Sequence, residues 1–582
     1  MRSQRVTTIL IGLAAAAGLV YWLQSVRSGE GGRVPEGVTR GGTLVATFRT
    51  EPQSFNRYVS ARVADQLFSL LTQATLVRTN RATGVLEPRL AREWSASPDG
   101  LTWTILLRED VTFSDGTPFT SADVVFSFQA LYDERVKSPI ASSIQVGGQP
   151  LVLRAHDSHT VEVTFPASYG PGLALLENVP ILPAHKLKAS LDAGTFRQAW
   201  PVTTPPAQLA GLGPFVLREF VPGQRLVYER NPRFWRTDDQ GRPLPYLDAI
   251  ELQIVPEQNA EVLRLETGAV DLITDQVRPE DLAALQALQA QGTVTLNEAG
   301  VATNPEMLWL NLDPASVSAQ ARSWLQRLEL RQAISHAVDR RRIVDTVYLG
   351  TAEPAYGPMT PGHGDWYLPD LPRTGYDPAR AKSLLESIGL VDRTGDGKLD
   401  DDRGQTARLT LLTTKGHTIR ERTCAIIQEQ LAAVGLVLDV VPMETTALIA
   451  QLMGGRYEAA FFSIVFDSFD PGGHLDFWMS NGAFHLWHPS QATPATDWEA
   501  EIDALMLKQS TSLDSAERRR LFGDVQRLFA AHLPVIYFAA PRVVVATSGR
   551  VGGAMPSVLA PTVLWNAEML WLVPAPAGAA GK

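Results

Sequence analysis

The sequence predicts an α/β fold divided between more than one lobe, and three observations carry that expectation. The chain has 582 residues, more than one ordinary hydrophobic core organises. Hydrophobic residues make up 45% and charged residues 20%, a globular composition without the bias of a disordered chain. Between Arg408 and Phe466, segments of strand and helix character alternate as strand, helix, strand, helix, strand, the pattern of a parallel sheet with right-handed crossovers.

The chain opens on a segment that does not belong to that fold. Arg2 and Arg5 form a short positive start, and Val6 to Val26 carries no charged side chain. As a helix at roughly 1.5 Å per residue, this run is long enough to cross a bilayer. Tyr21 and Trp22 stand where an interfacial aromatic belt would lie. An uncleaved signal anchor is the preferred reading and a cleaved signal peptide the alternative; either puts the body outside the cytoplasm. Gly29 to Gly42 reads as a flexible tether, so residues 1–35 are expected to be anchor and tether.

Within the body, "TSADVVFSFQAL" reads as a helix capped by Thr120, with Asp123 completing a capping box and Val124, Val125, Phe128 and Leu131 on one face. "DPARAKSLLESIGL" reads as a second helix, with Asp377 as cap, Pro378 in the first position, a stripe of Ala381, Leu384, Leu385 and Ile388, and Gly389 at its end. In the third unit "RLTLLTT" is a strand and Thr418 to Val434 a helix. A strand from Leu436, a helix from Thr445 to Met453 and the strand "YEAAFFSIVF" follow. Ligands in such sheets sit beyond the carboxyl ends of the strands. The last strand is expected to run directly into "FDSFDPGGH", which puts Asp467 and Asp470 where a ligand would be met.

Composition and motifs narrow the function. Lys and Arg number 52 against 62 Asp and Glu, a net charge of −10 that argues against a nucleic-acid partner. The single cysteine, Cys424, cannot form an internal disulfide and reads as a small buried hydrophobe. No G-x-S-x-G, H-E-x-x-H, Walker A or post-strand G-x-G-x-x-G sequence occurs, so an enzyme is not expected. "DRTGDGKLD" from Asp392 has the spacing of a calcium loop, but Arg403 stands at the position of the bidentate Glu, which favours a polar turn. His474, His485 and His488 cluster with Trp478 and Trp487; pocket or surface lining is the preferred reading over a metal site.

From Glu87 to Leu131 the sequence "EPRLAREWSASPDGLTWTILLREDVTFSDGTPFTSADVVFSFQAL" resembles, almost position for position, the signature of bacterial extracellular solute-binding proteins, family 5. These are the dipeptide-, oligopeptide- and nickel-binding components of ABC importers. "GGTLVATFRTEPQSFN", "GLGPFVLREFVPGQRLVYERNPRFW" and "LRQAISHAVDRRRIVDTVYLG" extend the resemblance over about Gly41 to Val551. It implies a two-lobed periplasmic binding protein of type II-like architecture with an extra subdomain in the first lobe. Residues 36–304 would form the first lobe with a subdomain at about 76–205, residues 305–538 the second, and 539–582 the return to the first. It further implies a small peptide or peptide-like solute held between lobes that close on it, delivery to ABC permease subunits in the inner membrane, a monomeric chain and no cofactor. In peptide-binding members an Asp just after a second-lobe strand meets the ligand's free amino terminus, and the position that carries over is Asp467. The implied ligand-binding set is Asp467, Ser468, Phe469 and Trp478, with Phe48 and Glu51 from the opening strand. A membrane-tethered sensor without transport, or a binder of a nickel chelate, sugar or opine, stands as the alternative.

Overall fold

The computed structural model describes residues 38–573 apart from 319, 320, 322, 323 and 467. The expected anchor at Val6 to Val26 therefore lies outside the described residues, and no helix among those described is long and apolar enough to cross a membrane.

Two mixed sheets organise the chain. The first has eight strands. Seven follow one another in the order Phe215–Val221, Arg225–Arg230, Ala249–Ile254, Thr43–Phe48, Leu272–Ile273, Ala539–Ser548 and Val294–Val301, and Ala352–Pro354 adds to Ala539–Ser548. Along Thr43–Phe48 the alternation that buries Leu44 and Ala46 on one face fixes the register, with parallel neighbours on both sides. The second sheet has the order Val437–Met443, Arg408–Thr414, Ala459–Phe462, Met307–Leu310 and Val535–Tyr537. Its first three strands are mutually parallel, as crossovers through the helices Thr418–Ala433 and Thr445–Met453 require.

Each sheet has its own apolar core. One core draws on Leu44 to Leu272 and returns through Val545 to Leu572; the other draws on Val301 to Ala540. The chain passes from the first sheet to the second between Val301 and Met307 and comes back between Tyr537 and Ala539. The two passages run side by side, because Val294–Val301 pairs with Ala539–Ser548 and Met307–Leu310 pairs with Val535–Tyr537. A separate antiparallel sheet of Ala91–Ala96, Thr102–Leu107, Thr160–Thr164 and Val152–Asp157 packs with the helix Ser121–Tyr132 on the first core.

Local signals behave as their chemistry demands, with two corrections. Thr120 and Asp123 form the capping box, and Asp377 accepts from the Arg380 N–H. Gly435 follows the long helix at φ +88°, a conformation that a side chain would strain. In the Ser121–Tyr132 helix Phe126 is buried and Val125 only partly so, because the helix is enclosed on more than one side. The strand expected to reach Asp467 stops at Phe462, where its neighbour Met307–Leu310 begins and its pairing ends. Cys424 is fully buried, and burial pushes its thiol up to about 12. The Asp392 carboxylate is occupied by the N–H groups of Gly395 and Gly397, the geometry of a polar turn.

The C-terminal return is fastened by one carboxylate. Glu568 is buried and meets Arg89 at 2.8 Å, Arg78 at 3.1 Å and Arg236. Burial pushes its pKa up, but the three guanidiniums outweigh burial and hold it well below the ordinary carboxylate range. Burial, reinforced by Arg78 and Arg236, lowers Arg89 to about 9. Removing one partner of a buried ionic cluster strands the others, so Glu568→Ala should lose about 3–5 kcal/mol of stability. Glu229→Ala, at the exposed pair with Arg218, should lose at most about 1 kcal/mol. Urea denaturation of both variants checks this; equal losses would remove the account of the cluster.

Candidate functional site

A cavity of about 1080 Å³ opens where residues from both cores face each other. Arg57, Arg78, Arg81, Arg89 and Trp565 line it from the first core, and His363, Trp366, Ser468, Phe469 and Asp470 from the second. Glu298, Glu353 and Arg542, at the strands that carry the chain across, form a third side. Arg542 binds Glu298 at 2.6 Å and Glu353 at 2.7 Å.

The wall from the second core is built around one guanidinium. Arg518 makes a bidentate ion pair with Asp470, Nη2 to Oδ1 at 2.6 Å and Nη1 to Oδ2 at 2.8 Å. Its Nε donates to the Gln509 carbonyl at 2.9 Å, and its plane lies over the Trp366 ring at 5.3 Å. Asp470 also accepts from the Gly472 N–H at 2.9 Å and so starts the tight turn Pro471–Gly473, the turn role its place before proline suggests. The Ser468 hydroxyl accepts from the Asp470 N–H at 3.2 Å. Together these bonds fix the segment Ser468–Asp470 at the cavity.

The same guanidinium abuts the other half of the molecule. The Gly170 N–H donates to the Ser510 carbonyl at 2.6 Å, and the Ser168 hydroxyl to the Thr511 carbonyl at 2.7 Å. A Cβ on Gly170 would come within 2.6 Å of the Ser512 carbonyl and would also overlap Arg518 Nε. Glycine at 170 is what lets the two halves meet there.

His363 contributes a neutral side chain to the wall. Its Nδ1 accepts from the Thr360 N–H at 3.1 Å, and burial lowers its pKa to about 4. His485 and His488 are instead committed to a buried carboxylate, Glu499, at 3.1 and 2.9 Å, with the Trp487 indole N–H on the same oxygen at 3.2 Å. His474 packs at a tilt against Phe466 and faces the Ser468 carbonyl at 3.4 Å.

Of the residues expected at the site, the structure brings Ser468 and Phe469 to the cavity, and Asp467 lies outside the described residues. It does not bring Trp478, Phe48 or Glu51 there. Trp478 is fully buried in the second core against Phe477, Phe522 and Phe529. Phe48 is consumed in pairing with Ile254 and packs on the first core, and the Glu51 carboxylate accepts from the Gly223 N–H at 2.7 Å. The residues that sequence reasoning missed are the arginines and His363. Arg518 did leave a signal, because it continues the buried stripe of Phe522, Val525 and Phe529 on the helix Ser515–His532.

Residues 85–485 match the sequence profile described as Bacterial extracellular solute-binding proteins, family 5 Middle. A probable ABC transporter-binding protein of Deinococcus radiodurans is 26% identical over 547 residues, covering 89% of this chain and 90% of its own. The oligopeptide-binding protein AppA of Bacillus subtilis is 26% identical over 522 residues, covering 86% and 87%. Its structure in complex with a nonapeptide superposes with a TM-score of 0.69 at 24% identity, covering 92% of this chain and 100% of that one. The structure of NikA from Brucella suis in complex with Fe(III)-EDTA gives 0.75 at 22% identity, covering 91% and 100%.

Gly170→Ala tests the contact between the halves. Overpacking there should disfavour the closed arrangement by about 1–3 kcal/mol, roughly 5- to 150-fold in affinity for a solute that needs closure. Thermal stability should barely change, because each core is untouched. Calorimetric affinity beside a melting curve separates the two; unchanged affinity, or a fall in melting temperature that accounts for it, would contradict the assignment.

Proposed function

The chain belongs to the bacterial extracellular solute-binding proteins, family 5, and from that premise we propose that it is the binding component of an ABC importer for a peptide-like solute. The observation that carries this reading is the cavity, which is lined from two independent cores joined by two adjacent passages of chain. Rotation about those passages would open the cavity to a solute and close it again. A volume of about 1080 Å³ gives room for a solute of several residues. AppA, one relative, is described as oligopeptide-binding, and its structure is of a complex with a nonapeptide.

In this reading Asp467 receives the solute's ammonium group. Ser468, its neighbour, lines the cavity, and Asp470 is already satisfied by Arg518, which leaves Asp467 as the acidic group of that segment for a ligand. Phe469 offers apolar contact beside it. The lobes divide near residues 304 and 538, and the closed form is presented as a monomer to permease subunits. Val6 to Val26 would hold the receptor at the membrane, near its transporter. The chain binds and releases its solute unchanged.

Calorimetry with tetra-alanine, and with tetra-alanine acetylated at its amino terminus, tests the reading. Asp467→Asn should weaken binding of the free peptide by about 2–5 kcal/mol, roughly 30-fold or more, and acetylation should do the same to the parent protein. Unchanged affinity on acetylation, or parent-like binding by Asp467→Asn, overturns it.

A further inference from the structure

The two passages of chain between the cores are held by different arginines, and one of these also holds the chain that leads to the cavity wall. In the first passage, between Val301 and Met307, the Glu306 carboxylate meets Arg420, whose Nε stands 3.0 Å from both of its oxygens. Their side chains are only 12% and 14% exposed. Burial pushes the Glu306 carboxyl up, opposed by the guanidinium beside it, so neither charge is comfortable without the other.

The other two nitrogens of Arg420 are taken up at strand ends of the second sheet. Nη1 donates to Thr414 Oγ1 at 2.9 Å, at the last residue of Arg408–Thr414. Nη2 donates to Ser463 Oγ at 3.2 Å, one residue beyond Ala459–Phe462. From Ser463 the chain runs on to Ser468 and Asp470, which line the cavity. Arg420 itself stands in the first turn of the helix Thr418–Ala433, where His417 Nδ1 accepts from its backbone N–H at 3.4 Å. The second passage is held otherwise. Arg340 donates from Nε to the carbonyls of Tyr537 at 2.8 Å and Ala355 at 3.0 Å, and from its two Nη atoms to Ser335. None of these partners belongs to the segment that approaches the cavity. Arg420, Glu306, Ser463, Arg340 and Ser335 all lie outside the cavity lining.

From this arrangement we infer that Arg420 is a positioning residue for solute binding. It joins the first passage and the approach to Ser468–Asp470 into one unit, so rotation about the passages carries that segment to the solute in a fixed place. The inference rests on the reading of a peptide-like solute enclosed by closing lobes, and adds the side chain that transmits the closure. A planar guanidinium serves three groups at once, which the compact ammonium of a lysine does not.

Calorimetry with tetra-alanine on the full-length protein, beside melting curves, tests this role. Ser463→Ala removes one hydroxyl outside the cavity lining and should weaken binding roughly threefold to tenfold. Ser335→Ala takes the corresponding hydroxyl from Arg340 and should leave the affinity as it was, whatever happens to the melting temperature. Glu306→Gln should weaken binding too. Combined with Ser463→Ala, its loss should fall short of the product of the single losses by roughly threefold or more, because both act through Arg420. A merely structural role would lower the melting temperature, leave the affinity of the folded protein alone and show no such shortfall. The comparison of Ser463→Ala with Ser335→Ala stands even if Glu306→Gln does not fold. Parent-like affinity in Ser463→Ala, an equal loss in Ser335→Ala, or single losses that simply multiply would overturn the inference and leave the peptide reading intact. If tetra-alanine does not bind the parent protein, that reading falls and this inference with it.

Discussion

The bidentate ion pair between Arg518 and Asp470 joins pieces of chain that lie far apart in sequence, and the site's geometry depends on it. Through Asp470 it sets the segment Ser468–Asp470 at the cavity; through Gln509 it ties the helices Asp497–Thr511 and Ser515–His532 at their shared corner. Against its Nε sits Gly170 of the other half, hydrogen-bonded to the Ser510 carbonyl. The cavity-lining segment and the contact between the halves therefore meet at one rigid part. The segment cannot shift by much without breaking that pair, and stranding a nearly buried guanidinium would cost several kcal/mol, of order 3–5, whereas Gly170 can move away and leave the pair intact.

This economy of parts is consistent with what a two-lobed binder must do. Each sheet has its own core, which is what lobes that keep their shapes through a hinge motion require. The passages between them are short and paired to each other, which restricts the motion to few torsions. The glutamate cluster around Glu568 keeps the C-terminal return on the first core and so fixes the arginines that share it. Relatives with this fold are described with different solutes, an oligopeptide for AppA and Fe(III)-EDTA for NikA, so the solute is set by the side chains of the site rather than by the fold.

Much of the fold was legible in the sequence where short-range chemistry decides. The capping box at Thr120 and Asp123, the Asp377 cap and the alternation of strand and helix after Arg408 all follow from local hydrogen bonds and apolar periodicity. The site was far less legible, for a physical reason. Its walls come from residues near 80, 360, 470, 518 and 560, and no local pattern says that these converge. Trp478 stands beside the ligand segment in sequence, yet packing against Phe522 and Phe529 turns it into the core. Arg518 lies in a run of three arginines that reads as a solvated helix face, and only its phase with Phe522 and Val525 marks it as buried. Glu499 breaks the apolar stripe of Ile502 and Met506 in the same way and proves to be the carboxylate that holds His485 and His488.

The central claim is that the two halves close around a solute at this cavity. Small-angle X-ray scattering of the full protein, titrated with tetra-alanine to saturation, tests it most directly. The account predicts a fall in the radius of gyration that saturates with the peptide and is reduced in Gly170→Ala. A scattering profile that is the same with and without saturating peptide would contradict it.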